Sequence, residues 1–191
     1  MDKSFVSKIR TNLSDRKKIV IIPHISPDAD ALGSCLAIYH FFKKNHKVDI
    51  ISPNEYSEVL KFLPGENTIS RFDSSQDKCV KLITNAEIIF ILDFNNLNRV
   101  RKLSPYIKKS KAIKIMIDHH ESPDDFAKYA YCDPSMSSTC EIIYNFLSEY
   151  DKNLIDKDIA QCIYTGIVAD TGSFRFPSTS SNTLKIASEL I

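Results

Sequence analysis

The chain has 191 residues, 25 Lys+Arg against 24 Asp+Glu, 43% hydrophobic residues, five Cys and no Trp. That length suits one domain, or one and a fragment, and the balanced charge with ordinary apolar content excludes a strongly basic duplex-binding surface and intrinsic disorder. No apolar run reaches the roughly 18–20 residues of a membrane helix, and MDKSFVSKIRTNLSD lacks the apolar stretch of a signal peptide, so a cytoplasmic protein is expected.

In chain order, the first strong element is KIVIIPH (18–24), too short and too Ile/Val-rich for a helix, and it reads as a buried strand. A helix is expected over ALGSCLAIYHFFKKN (31–45), a strand over KVDIIS (47–52) and a helix over QDKCVKLITNA (76–86). EIIFILD (87–93) and AIKIMID (112–118) repeat the buried-strand pattern. Strands alternating with helices imply an α/β fold with a mostly parallel sheet flanked by helices. After Asp118 the pattern changes to longer helical segments, STCEIIYNFLSEY (138–150) and DKDIAQCIYTGIVAD (156–170), the second with Asp156 as N-cap, and no strand-helix rhythm follows. The last segment, SSNTLKIASELI, starts polar and places Leu184, Ala187, Leu190 and Ile191 at helical spacing without a Gly or Asn to close it, so a truncated chain is expected. The five cysteines (Cys35, Cys79, Cys132, Cys140, Cys162) are odd in number and never CxxC, which predicts reduced core residues.

Acids and imidazoles gather at the strand ends. His24 closes the first strand, Asp93 the second, and Asp118 the third, followed by His119 and His120. Ligand sites of open α/β sheets lie beyond the carboxyl ends of the strands. His24, Asp28 and Asp30 fall within seven residues of one loop, and Asp170 ends an apolar helix before the turn residues Thr171 and Gly172. Three of the four glycines, Gly33, Gly166 and Gly172, lie within four residues of Asp30 or Asp170, which suggests tight backbone geometry. Any one of these pieces alone is more often a cap or a turn than a ligand, but four together are an improbable coincidence. Four aspartates with two or three histidines carry too much negative charge to converge without cations. Carboxylate-heavy, thiolate-free sets favour Mn²⁺ or Mg²⁺, with Co²⁺, Ni²⁺ or Zn²⁺ able to bind in vitro. Six or seven ligands suit two ions roughly 3.5–4 Å apart, the arrangement of metal-assisted phosphoester hydrolysis. Arg99, just past a strand end, is a candidate phosphate contact.

With these residues in place the sequence resembles the DHH phosphoesterase superfamily. The resemblance runs in order through PHISPDADALGS, ILDFNNLNR, IDHHES and GIVADTGSFRF, and covers almost the whole chain. It is closest to the nanoRNase/pAp phosphatase (RecJ-like) branch. What the resemblance implies is two divalent cations, Mn²⁺ first and Mg²⁺ or Co²⁺ as alternatives. His24, Asp28 and Asp93 would hold one, and Asp30, Asp93, His119 and Asp170 the other, with Asp93 bridging. Asp118 would orient an imidazole, His120 would face the scissile phosphate as donor or proton source, and a metal-bridging hydroxide would be the nucleophile. Arg99 with Ser137, Ser138 and Thr139 would supply phosphate or structural contacts.

Relatives of this kind carry a second, substrate-binding domain with a GGGH segment that nothing here matches. Residues 1–180 are therefore expected to form the catalytic domain and 181–191 the start of an interdomain helix, with metal binding intact but turnover weak. The expected activity is hydrolysis of short oligoribonucleotides or pAp to mononucleotides. Alternatives are pyrophosphate or polyphosphate, a linear or cyclic dinucleotide, or a non-catalytic nucleotide-binding module. Expected partners are short RNA or nucleotide, with neither membrane nor long duplex nucleic acid, and a homodimer is compatible.

Overall fold

A computed structural model describes residues 2–191. Six strands form one all-parallel sheet: β1 (Lys18–Ile22), β2 (Lys47–Ser52), β3 (Ser70–Arg71), β4 (Ile88–Leu92), β5 (Ile113–Asp118) and β6 (Tyr129–Cys132). Their spatial order is β3-β2-β1-β4-β5-β6. The chain first builds outward from β1 to β2 and β3, then returns across β1 to β4 and builds the other way. Loops leaving β1 and β4 therefore diverge and open a crevice at the carboxyl edge of the sheet.

The central strands are apolar on both faces because both are covered. Ile19 and Ile21 of β1, with Ile88, Phe90 and Leu92 of β4, point into one core, while Val20, Ile22, Ile89 and Ile91 point into the other. On the first face lie α1 (Lys3–Asn12), α2 (Ala29–Phe42), α5 (Thr139–Asp151), α6 (Lys157–Asp170) and α7 (Ser181–Leu190), and on the second α3 (Gln76–Asn85), a 3-10 turn over Leu97–Leu103 and α4 (Ser104–Lys109). Every residue of α2 from Asp30 to Ile38 is buried. A helix apolar nearly all round needs cover on every side, and the sheet, α5 and α6 supply it.

The expected helices form with small differences at their ends. α2 begins at Ala29 rather than 31, because the Asp28 side chain caps it, and it stops at Phe42, where a turn leads into β2. Asp156 caps α6 through Ile159 N. α7 starts with a reciprocal capping box between Ser180 and Thr183, and its Ile186 and Ala187 are buried. The helical reading after Asp118 passes over one strand: β6 pairs with β5, Ile115 opposite Tyr129. Four residues, partly exposed at a sheet edge, carry too little apolar patterning to register as a strand. β3, two residues long, escapes for the same reason. All five cysteines are free, and only Cys132 is not fully buried. Among the described residues no helix is long and apolar enough to cross a membrane.

Candidate metal centre

At the crevice, β1, β4 and β5 and the ends of α2 and α6 deliver their acids and imidazoles to one place. Three overlapping sets have donor atoms all within 4.8 Å of one another: His24, Asp28 and Asp93; Asp30, His119 and Asp170; and Asp93, His119 and His120. Every sequence-derived ligand candidate is in one of them. Asp93 belongs to two.

Local structure aims each group. Asp28 is the N-cap of α2, its Oδ1 accepting from the backbone N–H groups of Asp30 and Ala31, both at 3.0 Å. Capping thus occupies one oxygen and leaves Oδ2 turned toward His24 Nε2, 3.7 Å away. The His24 Nδ1 donates to the Ile25 carbonyl at 2.8 Å, so Nε2 faces the cluster, 3.2 Å from Asp93 Oδ2. His119 Nε2 lies 3.4 Å from Asp170 Oδ2 and 3.7 Å from Asp93 Oδ1.

Asp30 is fully buried and held by the N-terminus of α5, accepting from Thr139 N at 2.6 Å and Cys140 N at 2.8 Å. Backbone donors and the helix dipole both favour a carboxylate there. Asp93, 2% exposed, adopts φ 63°, a left-handed conformation that strains a side-chain-bearing residue and recurs at functional sites. The tight geometry inferred from the glycines is present: a methyl on Gly166 would stand 2.3 Å from Cys140 Sγ and 2.8 Å from Asp30 Oδ1.

Asp118, fully buried, accepts from His120 Nδ1 at 2.8 Å and from His120 N at 3.1 Å. His120 is raised above the ordinary histidine range, chiefly by this bond, with burial and the Arg99 charge opposing. Arg99 is half-buried on the 3-10 turn near His120, and its carbonyl accepts from Ile25 N at 2.7 Å, tying that turn to the His24 loop.

Ser137, Ser138 and Thr139 lie at the start of α5, beside the cluster. Ser138 caps α5, Ser137 Oγ donates to Glu141 at 2.6 Å, and Thr139 Oγ1 donates to Asp93 Oδ1 at 2.8 Å. All three are buried with protein partners, which is the structural one of the two roles expected of them.

Two residues not singled out as site candidates also shape the site. Asn95 Nδ2 donates to the His120 and Glu121 carbonyls, each at 3.0 Å, fixing the loop that bears both histidines. Its place in DFNN, two residues past Asp93, is the one cue the sequence offers. Glu141, buried, gathers Ser137, Asn182 and Thr183 and so joins α7 to the start of α5.

The donor set fits cations. Without them, protons do the neutralising. Burial would depress His24, but the Asp28 and Asp93 carboxylates outweigh it and hold the imidazole at about 10. Burial would raise Asp28, but His24 and the α2 amides pull it to about 2. Asp170 is pushed up to about 7 by burial and then by the charges of Asp93 and Asp28. Asp30 goes well up, through burial and then Asp93 and Asp170. Imidazoles and carboxylates converging this closely, without thiolates, match hard divalent ions such as Mn²⁺.

Residues 18–167 match the family described as DHH family, N-terminal domain. The chain is 32% identical over 173 residues to the probable bifunctional oligoribonuclease and PAP phosphatase NrnA of Streptococcus mutans, which covers 91% of this chain and 52% of that protein. Its structure is similar to that of an exopolyphosphatase-related protein from Bacteroides fragilis, with TM-score 0.96, 38% identity and coverage of 99% of this chain and 56% of the other. RecJ from Thermus thermophilus, in complex with Mn²⁺, shares the fold at TM-score 0.59 and 12% identity, over 97% of this chain and 26% of RecJ. The chain spans about half the length of the curated relatives it matches. Its ordered motifs, its parallel sheet and the match over residues 18–167 agree: the chain belongs to the DHH family, of which it carries the N-terminal domain.

Proposed function

We propose that this chain is the catalytic part of a Mn²⁺-dependent cytoplasmic phosphoesterase that hydrolyses short oligoribonucleotides, pAp or both to mononucleotides. One observation carries the reading: two three-donor sets, one containing Asp93 and the other within reach of it, stand side by side at the carboxyl edge of the sheet. Resemblance to the Streptococcus mutans relative supports the substrate class.

In this reading His24, Asp28 and Asp93 hold one cation, and Asp30, Asp93, His119 and Asp170 the other. Two bound divalent cations supply Lewis acidity toward phosphate oxygens and make water a better nucleophile. The chain does the rest. The α5 amides and the Thr139 hydroxyl orient Asp30 and Asp93. Asp118 accepts from His120 Nδ1 and favours the doubly protonated ring, so that as an imidazolium its Nε2–H can give a proton to the leaving oxygen. Arg99 pairs with a non-bridging phosphate oxygen. Residues 1–180 form the catalytic domain, and 181–191 lead toward a substrate-binding domain of the sort that would account for the relatives' remaining length.

The test is Mn²⁺ titration calorimetry on the chain and on Asp93→Ala, followed by hydrolysis of diribonucleotide, pAp, pyrophosphate and polyphosphate. Two ions bound by the parent, substantially fewer by the variant, and turnover of diribonucleotide or pAp are expected. Activity confined to pyrophosphate or polyphosphate would overturn the nucleotide assignment. Absence of metal binding would overturn the mechanism.

A further inference from the structure

Beside the metal cluster lies a groove of about 630 Å³ that none of the assigned roles uses. Pro27 and Asp28 form one wall, and Glu55, Tyr56, Val59 and Leu60 the other. The two walls are latched together. Asn54 Oδ1 accepts from Ser26 N at 2.7 Å, its Nδ2 donates to Ser26 Oγ at 3.3 Å and to the Glu55 carbonyl at 2.9 Å, and its own carbonyl accepts from Ser52 Oγ at 2.5 Å. Ser26 is held at φ 51°, a left-handed conformation that the Asn54 contacts secure. The Tyr56 hydroxyl donates to Glu66 Oε1 at 2.8 Å, fixing its ring, and Arg71 Nη1 holds the Glu55 carboxylate at 2.6 Å. Val59 is 75% exposed on the rim.

The chemistry of the lining selects among ligands. Its aliphatic and aromatic side chains come with two carboxylates. Asp28 caps α2 and faces His24, and Glu55 has its Oε1 paired with Arg71. The lining itself has no lysine or arginine. An anion gains nothing there. A flat, uncharged ring with N–H donors gains chiefly through its faces on the apolar walls, and then through its amino group on the Glu55 oxygen that Arg71 leaves free. Asp28 is at once a wall of the groove and a member of the His24–Asp28–Asp93 set, so the groove is continuous with the place where a phosphate would be bound.

We infer that this groove is a nucleobase subsite, which takes the base of the nucleotide whose phosphate lies at the metal centre. The inference rests on the phosphoesterase reading and sharpens it, since a base subsite favours nucleotides over pyrophosphate or polyphosphate.

The experiment compares AMP with ribose 5-phosphate, the same phosphate lacking the base, by calorimetry on the Mn²⁺-loaded chain. Adenosine titrated into chelated protein, followed by backbone resonances of residues 53–60, reads the groove without metal or phosphate. AMP should bind about tenfold more tightly than ribose 5-phosphate, the range expected of one stacked base. Val59→Asp, an exposed position where the fold should survive, should bring that ratio close to one, and Tyr56→Leu gives a second reading. Equal binding of AMP and ribose 5-phosphate by the parent, or a ratio untouched by both variants, would overturn the subsite. Adenosine shifts at residues 53–60 without hydrolysis of any nucleotide would uphold the groove and sink the activity, so the two failures are distinguishable.

Discussion

The Thr139 hydroxyl donates to Asp93 Oδ1 at 2.8 Å, while Asp93 itself is held in a left-handed conformation at the end of β4. A residue at the start of α5 thereby orients the carboxylate that the two candidate cations would share. Thr139→Val keeps the shape and removes the donor. It should cost about 1–3 kcal/mol of stability, the penalty for an unsatisfied buried acceptor, and weaken Mn²⁺ binding about 10–100-fold, as loss of a group orienting a metal ligand does. Thr139→Ser should restore most of both. Urea unfolding and Mn²⁺ titration check this, and unchanged metal affinity in the valine variant would refute it.

Gly166 lets α6 pass close to Asp30. Gly166→Ala should push either Cys140 or Asp30 aside, lowering stability by about 1–3 kcal/mol as overpacking does. Because one of the clashing atoms is Asp30 Oδ1, metal affinity should fall as well. Melting with and without Mn²⁺ separates the two effects: the stabilisation given by the ion should shrink.

The pH dependence of the chelated protein follows from its protons. His24 is raised from 6.5 to about 10, so its contribution to stability is complete below 6.5 and is lost as pH rises toward 10. Asp170 is raised from 3.8 to about 7, and its contribution is lost as pH rises through that range. Asp28, lowered to about 2, acts in the opposite sense but only below 3.8. In chelator, Tm should therefore fall between about pH 6 and 9. Cations replace those protons, so the Tm gain from Mn²⁺ should widen over the same interval. A chelated Tm that climbs with pH there would contradict this account of the site.

The Asp118–His120 pair should separate chemistry from metal loading. Asp118→Asn removes the acceptor charge that holds the His120 ring, and His120→Gln removes the proton source. Each should lower kcat about 10²–10⁴-fold, with Mn²⁺ stoichiometry unchanged for His120→Gln. A kcat within a few-fold of the parent would remove His120 from the reaction.

Much of the fold and of the metal cluster is legible in the amino acids themselves. The strands follow from their Ile-rich runs, with 47–52 matched to the residue, and the ligands from their positions at strand ends. β6 leaves no comparable signal, because YAYC at a sheet edge has neither the length nor the apolar density of a buried strand. Ser137, Ser138 and Thr139 are legible only as polar residues ahead of a helix. Whether such hydroxyls face a ligand or a buried carboxylate depends on which element packs over them, and here that is the N-terminus of α5 against Asp30 and Asp93. Asn95 and Asn54 leave little trace because an asparagine in a loop looks the same whether it latches two loops or none.

Sequence alone established the parallel α/β class, the family and which acids and histidines belong together, because periodicity, strand-end placement and ordered motifs are local properties. Packing decided the rest. The convergence of His24, Asp93, His119 and Asp170 from four separate segments, the strain at Asp93, the donors on Asp30 and the groove beside Asp28 all come from contacts between residues far apart in the chain. Such contacts exist only once two cores have formed on opposite faces of one sheet and brought the ends of its strands together.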